Sequence, residues 1–299
     1  MALARPIVFG AALVAVLSAS TLALAADYYF DSVEGNDANN GTTEATAKKT
    51  LTVQSGNTMH LKRGSSWTVS NFMLSNVTLT TYGSGARPVI NGSVMVTGST
   101  VEGLLVRPTT GNGFNVQSNN TIRDCEVDGT NGTEAILGFG VMGENNKIIG
   151  NYVHDLSVSQ SGSSMNNSGG AEAFMVMASN NEVAFNSAVN CQSINTTLGG
   201  FEGGCLEIVN GKAGSTITNV SFHHNYCEKS VGLWEGCSGD FSGTGGGIQT
   251  NHGIIENVTV SYNIAVDSMW LFLLQPVNTD FRNVVFANNT IIHTPQSAV

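Results

Sequence analysis

Apolar and polar residues alternate along most of this chain in short runs, and in its second half the runs follow a fixed phrase. An alternating stretch reaches an Asn, and an apolar or small residue follows two places later. The phrase reads IIGNYVHD, VAFNSAVN, FHHNYCEK, VSYNIAVD and FANNTIIH, which puts Asn151, Asn186, Asn225, Asn263 and Asn289 in one column. Cys125 of IRDCEVDG holds the same place one unit earlier. The column recurs after 26 residues at either end and after 35 to 39 between. Val127, Val153, Ala188, Cys227, Ala265 and Ile291 stand two positions after it, so the period of an extended strand turns them inward.

An Asn column has a physical reason. Each unit turns a corner where backbone groups would lose their partners, and Asn tolerates bent dihedrals while its amide bonds backbone or the next Asn above. One unit cannot bury its own apolar face, so several stack into a continuous core. The pattern predicts an all-β fold, a right-handed parallel β-helix with an Asn ladder and long loops on one flank. A β-sandwich with Asn-rich turns is the alternative, but it needs no fixed column and turns every 8 to 12 residues. Asp155, Asn190, Lys229 and Asp267 share the fourth position after the column, which assigns them to a second turn. His154 and His293 fall in unit strands or turns and are expected to be structural.

Earlier in the chain, MHLKRGSSWTVSNFML and NVTLTTYGSGARPVING read as short strands broken at Gly64, Gly83, Gly85 and Gly92. Units from Val94 to Val158 are compact. Beyond them SQSGSSMNNSGG, NTTLGGFEGG and CSGDFSGTGGGIQTNHG interrupt successive units. A solenoid stacks such insertions on one flank, where they can wall a groove. The last unit stops at SAV without a cap, which reads as a piece of a longer protein.

The first 26 residues give Arg5, an apolar run and small residues at Ala23 and Ala25, the layout of a secretory signal peptide. Residues 27–299 then form a single β-helix domain that is secreted, extracellular or periplasmic. No later stretch is long enough to span a bilayer, the LFLL run at 271–274 being a buried strand. With 35 Gly, 5 Pro, 11% charged and 41% hydrophobic residues, the composition describes many tight turns around a core. A net charge of -10 excludes a nucleic-acid partner. It also means that a polyanionic glycan would need local Lys and Arg, or bound calcium. A monomer is expected. Five cysteines in an exported chain permit disulfides: Cys205 and Cys237 follow similar strand positions and can bridge, or the cysteines stay buried and free.

The combination of YYFDSVEGNDANNGT, HLKRGSSW and TTYGSGARPVINGS resembles the N-terminal region of secreted β-helix proteins of the pectate-lyase-like superfamily, a group of polysaccharide lyases, epimerases and glycoside hydrolases. Within it LEIVNGKAG is similar to a rung of alginate lyases and chondroitinase B. That resemblance implies a polysaccharide lyase, with Lys212 as the base and Glu207 as a calcium ligand, Glu202 standing near it. His223, His224 and Lys229 are candidates for the donor or acid that such a β-elimination also needs. Trp234 beside Glu235 suits a sugar face, and Asp240 is a further binding candidate. A glycoside hydrolase is the alternative, drawing its carboxyl pair from Glu202, Glu207, Glu235 and Asp240. A non-catalytic glycan-binding or adhesin-like β-helix is the third reading.

Overall fold

The computed structural model describes residues 25–132, 134–135, 137–158, 171–193, 202–210, 215–229, 235–242, 253–267, 273–275 and 279–292. The signal-peptide run to residue 24, Lys212, Trp234, His293 and most of the three insertions lie outside them, as do the side chains of Glu202, Glu235, Cys237 and Asp240.

The chain winds as a right-handed parallel β-helix, with three strands to a turn. One such turn runs Leu137–Val141, Lys147–Ile149 and Tyr152–His154. Stacking the turns produces an eight-strand, a ten-strand and a nine-strand sheet, met in that order around the coil, and a four-strand ribbon lies beside the nine-strand sheet. Every pairing in the three large sheets is parallel. At the start, the strand Asp27–Phe30 pairs with Thr58–Lys62, and between them Asp37 holds the chain by accepting from the Thr50 hydroxyl at 2.6 Å.

The core is a set of columns, one residue per turn. Val101, Ile122, Ile148, Val183, Phe222 and Val260 align on the ten-strand sheet. Val106, Val127, Val153, Ala188, Cys227 and Ala265 align on the nine-strand sheet, all buried. Phe114, Phe139 and Phe174 stack on the eight-strand sheet with centroids 4.9 and 5.4 Å apart. Ile291 keeps this register but is 46% exposed, in the outermost described strand.

The Asn column forms a continuous ladder at the corner between the ten- and nine-strand sheets. Each side-chain oxygen accepts the backbone N–H and the amide of the residue one turn earlier: Asn186 from Asn151, Asn225 from Asn186, Asn263 from Asn225 and Asn289 from Asn263, all at 2.8–3.0 Å. Cys125 ends it, donating its N–H to Asn151 Oδ1 at 2.9 Å. A second ladder lies at the corner between the eight- and ten-strand sheets. Ser99, Asn120, Asn146 and Asn181 repeat the same bonds there. Asp155, Asn190, Lys229 and Asp267 all hold positive φ, between 51° and 56°, which is the turn duty their spacing predicts.

The disulfide joins Cys205 to Cys227, not Cys205 to Cys237. Register explains the correction. Cys237 pairs with Gly204, one position off Cys205, so the two cysteines do not stand opposite each other. Cys205 and Cys227 both face the core from opposite sheets of one turn. Cys125 and Cys191 are free and buried, and burial pushes both thiols up to about 12. The bond closes a loop with a sequence separation of 22 residues, worth about 3 kcal/mol by loop-closure entropy. Replacing both Cys205 and Cys227 by Ala is expected to lower unfolding free energy in urea by about that amount. A loss below about 1 kcal/mol would show that the coil is already held in place there without the bond.

Candidate active site

The outer face of the eight-strand sheet carries two buried acids, Glu172 and Glu207. On the strand Glu202–Val209, Leu206 and Ile208 enter the core and Glu207 turns the other way. Register carries its position along the sheet: Met73, Met95, Asn115, Gly140, Met175, Glu207 and Asp240 pair in sequence. Met73 is exposed and Met175 half-buried, so this is a surface. Glu207 nonetheless has only 2% of its surface in water.

Glu172 joins it from the preceding strand, Ala171–Val176. Ala173 and Phe174, and Cys205 and Leu206 one turn on, all belong to the core although they are neighbours in sequence. This break in alternation releases Glu172 to the outer side. It pairs with Leu137, which shares that face with Gly140, since a Cβ at Gly140 would lie 3.1 Å from Leu137 Cδ1. Glu172 is also only 2% exposed. A carboxylate kept from water costs several kcal/mol unless it is hydrogen-bonded or paired, so both acids depend on the groups around them on this face.

Of the residues singled out in the sequence, the four acids come together as two cross-strand pairs: Glu202 opposite Glu235, and Glu207 opposite Asp240. The described cationic and imidazole candidates, His223, His224 and Lys229, stand elsewhere. His223 ends a strand of the ten-strand sheet, with Nε2 3.2 Å from Glu182 Oε1 and Nδ1 2.9 Å from His224 Nδ1. His224 lies at the corner beyond it, between Phe185 and Tyr262. Lys229 follows the nine-strand sheet, with Nζ 3.3 Å from Glu228 Oε1. None of these three reaches the Glu207 face. No strand of the eight-strand sheet contains Lys, Arg or His.

The expected calcium pair, Glu202 and Glu207, lies five residues apart on the one strand Glu202–Val209. Among the described residues no group of three or more His, Cys, Asp or Glu is arranged to hold a metal. Glu172, one of the ionisable residues around the insertions, was not drawn into the candidate site because AEAFMV scans as an ordinary strand start, and the consecutive inward residues Ala173 and Phe174 hide its direction.

No protein-family model and no curated protein matches this sequence. Among solved structures, a tailspike protein of E. coli bacteriophage HK620 superimposes with a TM-score of 0.50 and 14% identity, covering 80% of this chain and 50% of that one. The likeness is one of fold. A rhamnogalacturonan lyase gives a TM-score of 0.46 at 17% identity, covering 81% of this chain and 74% of that chain. The lacto-N-biosidase of Eubacterium ramulus gives 0.39 at 12%, covering 90% and 68%. This chain thus spans half the length of the tailspike, and the identities leave its chemistry to be argued from its own residues.

Proposed function

We propose that this chain is an exported enzyme that cleaves an extended glycan, and that it does so by hydrolysis with paired carboxyl groups on the outer face of the eight-strand sheet. The observation that carries the reading is the cross-strand register of Glu207 and Asp240 beside buried Glu172, on a sheet without basic residues. Parallel strands set the Glu207 and Asp240 Cα atoms about 4.8 Å apart. Two carboxyl groups on neighbouring turns favour sharing one proton, which divides them into an acid and a base or nucleophile. A retaining glycosidase needs its two carboxyl groups about 5–5.5 Å apart, and neighbouring strands are where such a close pair can be carried. Glu207 then protonates the glycosidic oxygen as the bond to the anomeric carbon breaks, Asp240 takes that carbon, and water releases the sugar with Glu207 as base. Glu172 holds the substrate beside them. The acidic balance of the chain favours a neutral glycan over a uronate polymer.

A screen of neutral and uronate-containing polysaccharides, with and without chelator, tests this. New reducing ends with retained anomeric configuration, no unsaturated uronate and no effect of chelator are expected. Unsaturated product that depends on Lys212 and calcium would replace hydrolysis by β-elimination. Binding without cleavage of any glycan would leave a glycan-binding module.

A further inference from the structure

The corner between the ten- and nine-strand sheets carries a column of left-handed residues just outside the Asn ladder. It runs Asp124, Gly150, Phe185, His224, Tyr262, each with φ between 49° and 66°. Backbone bonds fix the order, the N–H of each donating to the turn that carries the next: Asp124 to Ile149, Gly150 to Ala184, Phe185 to His223, His224 to Ser261. Elsewhere such positions hold Asn, Asp, Gly or Lys, but three in a row here are aromatic, an unfavoured choice for bulky side chains. Stacking links all three. His224 lies between Phe185 and Tyr262, with centroids 4.9 and 5.0 Å away and planes within 20°. Phe185 stacks on His224, meets His223 edge-on with ring centroids 5.6 Å apart, and is 57% exposed.

The other face of Phe185 looks toward Gly150, where an added Cβ would meet nothing within 4 Å. One turn further stands the Asp124 carboxylate, held below the usual carboxylate range by the Arg87 guanidinium, which bonds it at 2.7 Å and also bonds the Asp124 carbonyl. Asp124 and Phe185 are two turns apart, about 10 Å. Van der Waals contact with the ring takes about 4 Å, and a hydrogen bond from a hydroxyl to the carboxylate about 3 Å. The remaining height is that of a saturated six-membered ring.

We infer that this notch is a glycan-binding site separate from the eight-strand sheet, in which one pyranose lays its C–H face on Phe185, over Gly150, and donates hydroxyl hydrogen bonds to Asp124. Its occupant is apolar on one face and rich in hydroxyls at its edge. Because Arg87 is already engaged by Asp124, and Glu126 lies beside them with an oxygen 3.5 Å from Arg87 Nε, a neutral sugar fits and a uronate is repelled. An exposed aromatic ring on a left-handed backbone that bulky side chains rarely adopt is the kind of outlier that marks a functional position.

Saturation-transfer NMR with methyl glucoside, galactoside, mannoside and glucuronide tests the site. Transfer to at least one neutral pyranoside and weaker transfer to the glucuronide are expected. Phe185→Asn and Gly150→Asn suit the left-handed backbone, so each is expected to keep the unfolding midpoint while weakening binding at least tenfold. Binding should persist in Glu207→Gln, which separates this site from the proposed active face, and hydrolysis of a soluble glycan should be unchanged in Phe185→Asn. No transfer to any neutral pyranoside, or transfer unchanged in both Asn variants, overturns the proposal. So does binding lost in Glu207→Gln but kept in Phe185→Asn. A lower midpoint in Phe185→Asn with unchanged transfer shows the ring to be structural, which also overturns it.

Discussion

Glu207→Gln is expected to lower turnover on a cleaved glycan by about 100-fold or more, the range for loss of a general acid–base group, without lowering stability. The two halves of that expectation come from one fact. Glu207 sits on the outer side of the eight-strand sheet, yet it is almost completely withdrawn from water. Holding an ionised carboxylate there, next in register to Asp240, costs desolvation free energy that a neutral amide of the same shape does not. Gln fills the space and hydrogen-bonds but cannot pass a proton to the leaving oxygen. Activity should collapse while the urea midpoint stays or rises, the trade-off expected where a site is kept against stability. Glu202→Gln, at the other end of the same strand, should change turnover far less. Full activity in Glu207→Gln would remove the site from this face. Activity and midpoint falling together would make Glu207 a structural anchor, with Glu172 the next acid to change.

The architecture was legible because the ladder at Asn151, Asn186, Asn225, Asn263 and Asn289 recurs at one place in every turn, and a corner that must pair its backbone leaves few substitutes. The second ladder was not read from the same sequence. Asn120, Asn146 and Asn181 bond as regularly, but on the following turns their place passes to Val220, Val258 and Val284, where apolar packing replaces the amide chain. A column that changes chemistry part-way shows no period. The disulfide was misread for a related reason: a one-residue offset between Cys237 and Cys205 cannot be seen without the register of their strands.

The site was legible in part. Glu202, Glu207, Glu235 and Asp240 were chosen one by one as acids near long insertions, and parallel register brings them into two facing pairs. His223, His224 and Lys229 were grouped with them because they are close in sequence. In a solenoid, residues one side of a turn apart face different directions, so sequence proximity misleads and equivalence between turns informs. Glu172 shows the same rule, 35 residues from Glu207 and on the adjacent strand.

Asn225→Ala is expected to cost about 4 kcal/mol of unfolding free energy, because it strands several buried groups at once. Asn225 is buried at the middle of the ladder. Its Oδ1 accepts the Asn186 N–H at 2.9 Å and the Asn186 amide at 3.0 Å. Its Nδ2 donates to Asn263 Oδ1 and to the Val183 carbonyl, both at 3.0 Å. Asn186 Nδ2 keeps Ile148 O, and Asn263 Oδ1 keeps the residue-225 backbone N–H, so those two groups survive the change. The Asn186 N–H and the amide-facing side of Val183 O lose their partner in a dry corner, at about 1–3 kcal/mol each, and a void adds to that. Asn289→Ala, at the half-buried end of the ladder, should cost less than half as much. Urea unfolding of both variants measures the gradient, and equal losses, or a loss below about 1 kcal/mol for Asn225→Ala, would mean that the ladder does not carry load in proportion to burial. Because each turn is stabilised by its neighbours, the break at Asn225 should also broaden the transition, with the turns after residue 225 unfolding before those that precede it.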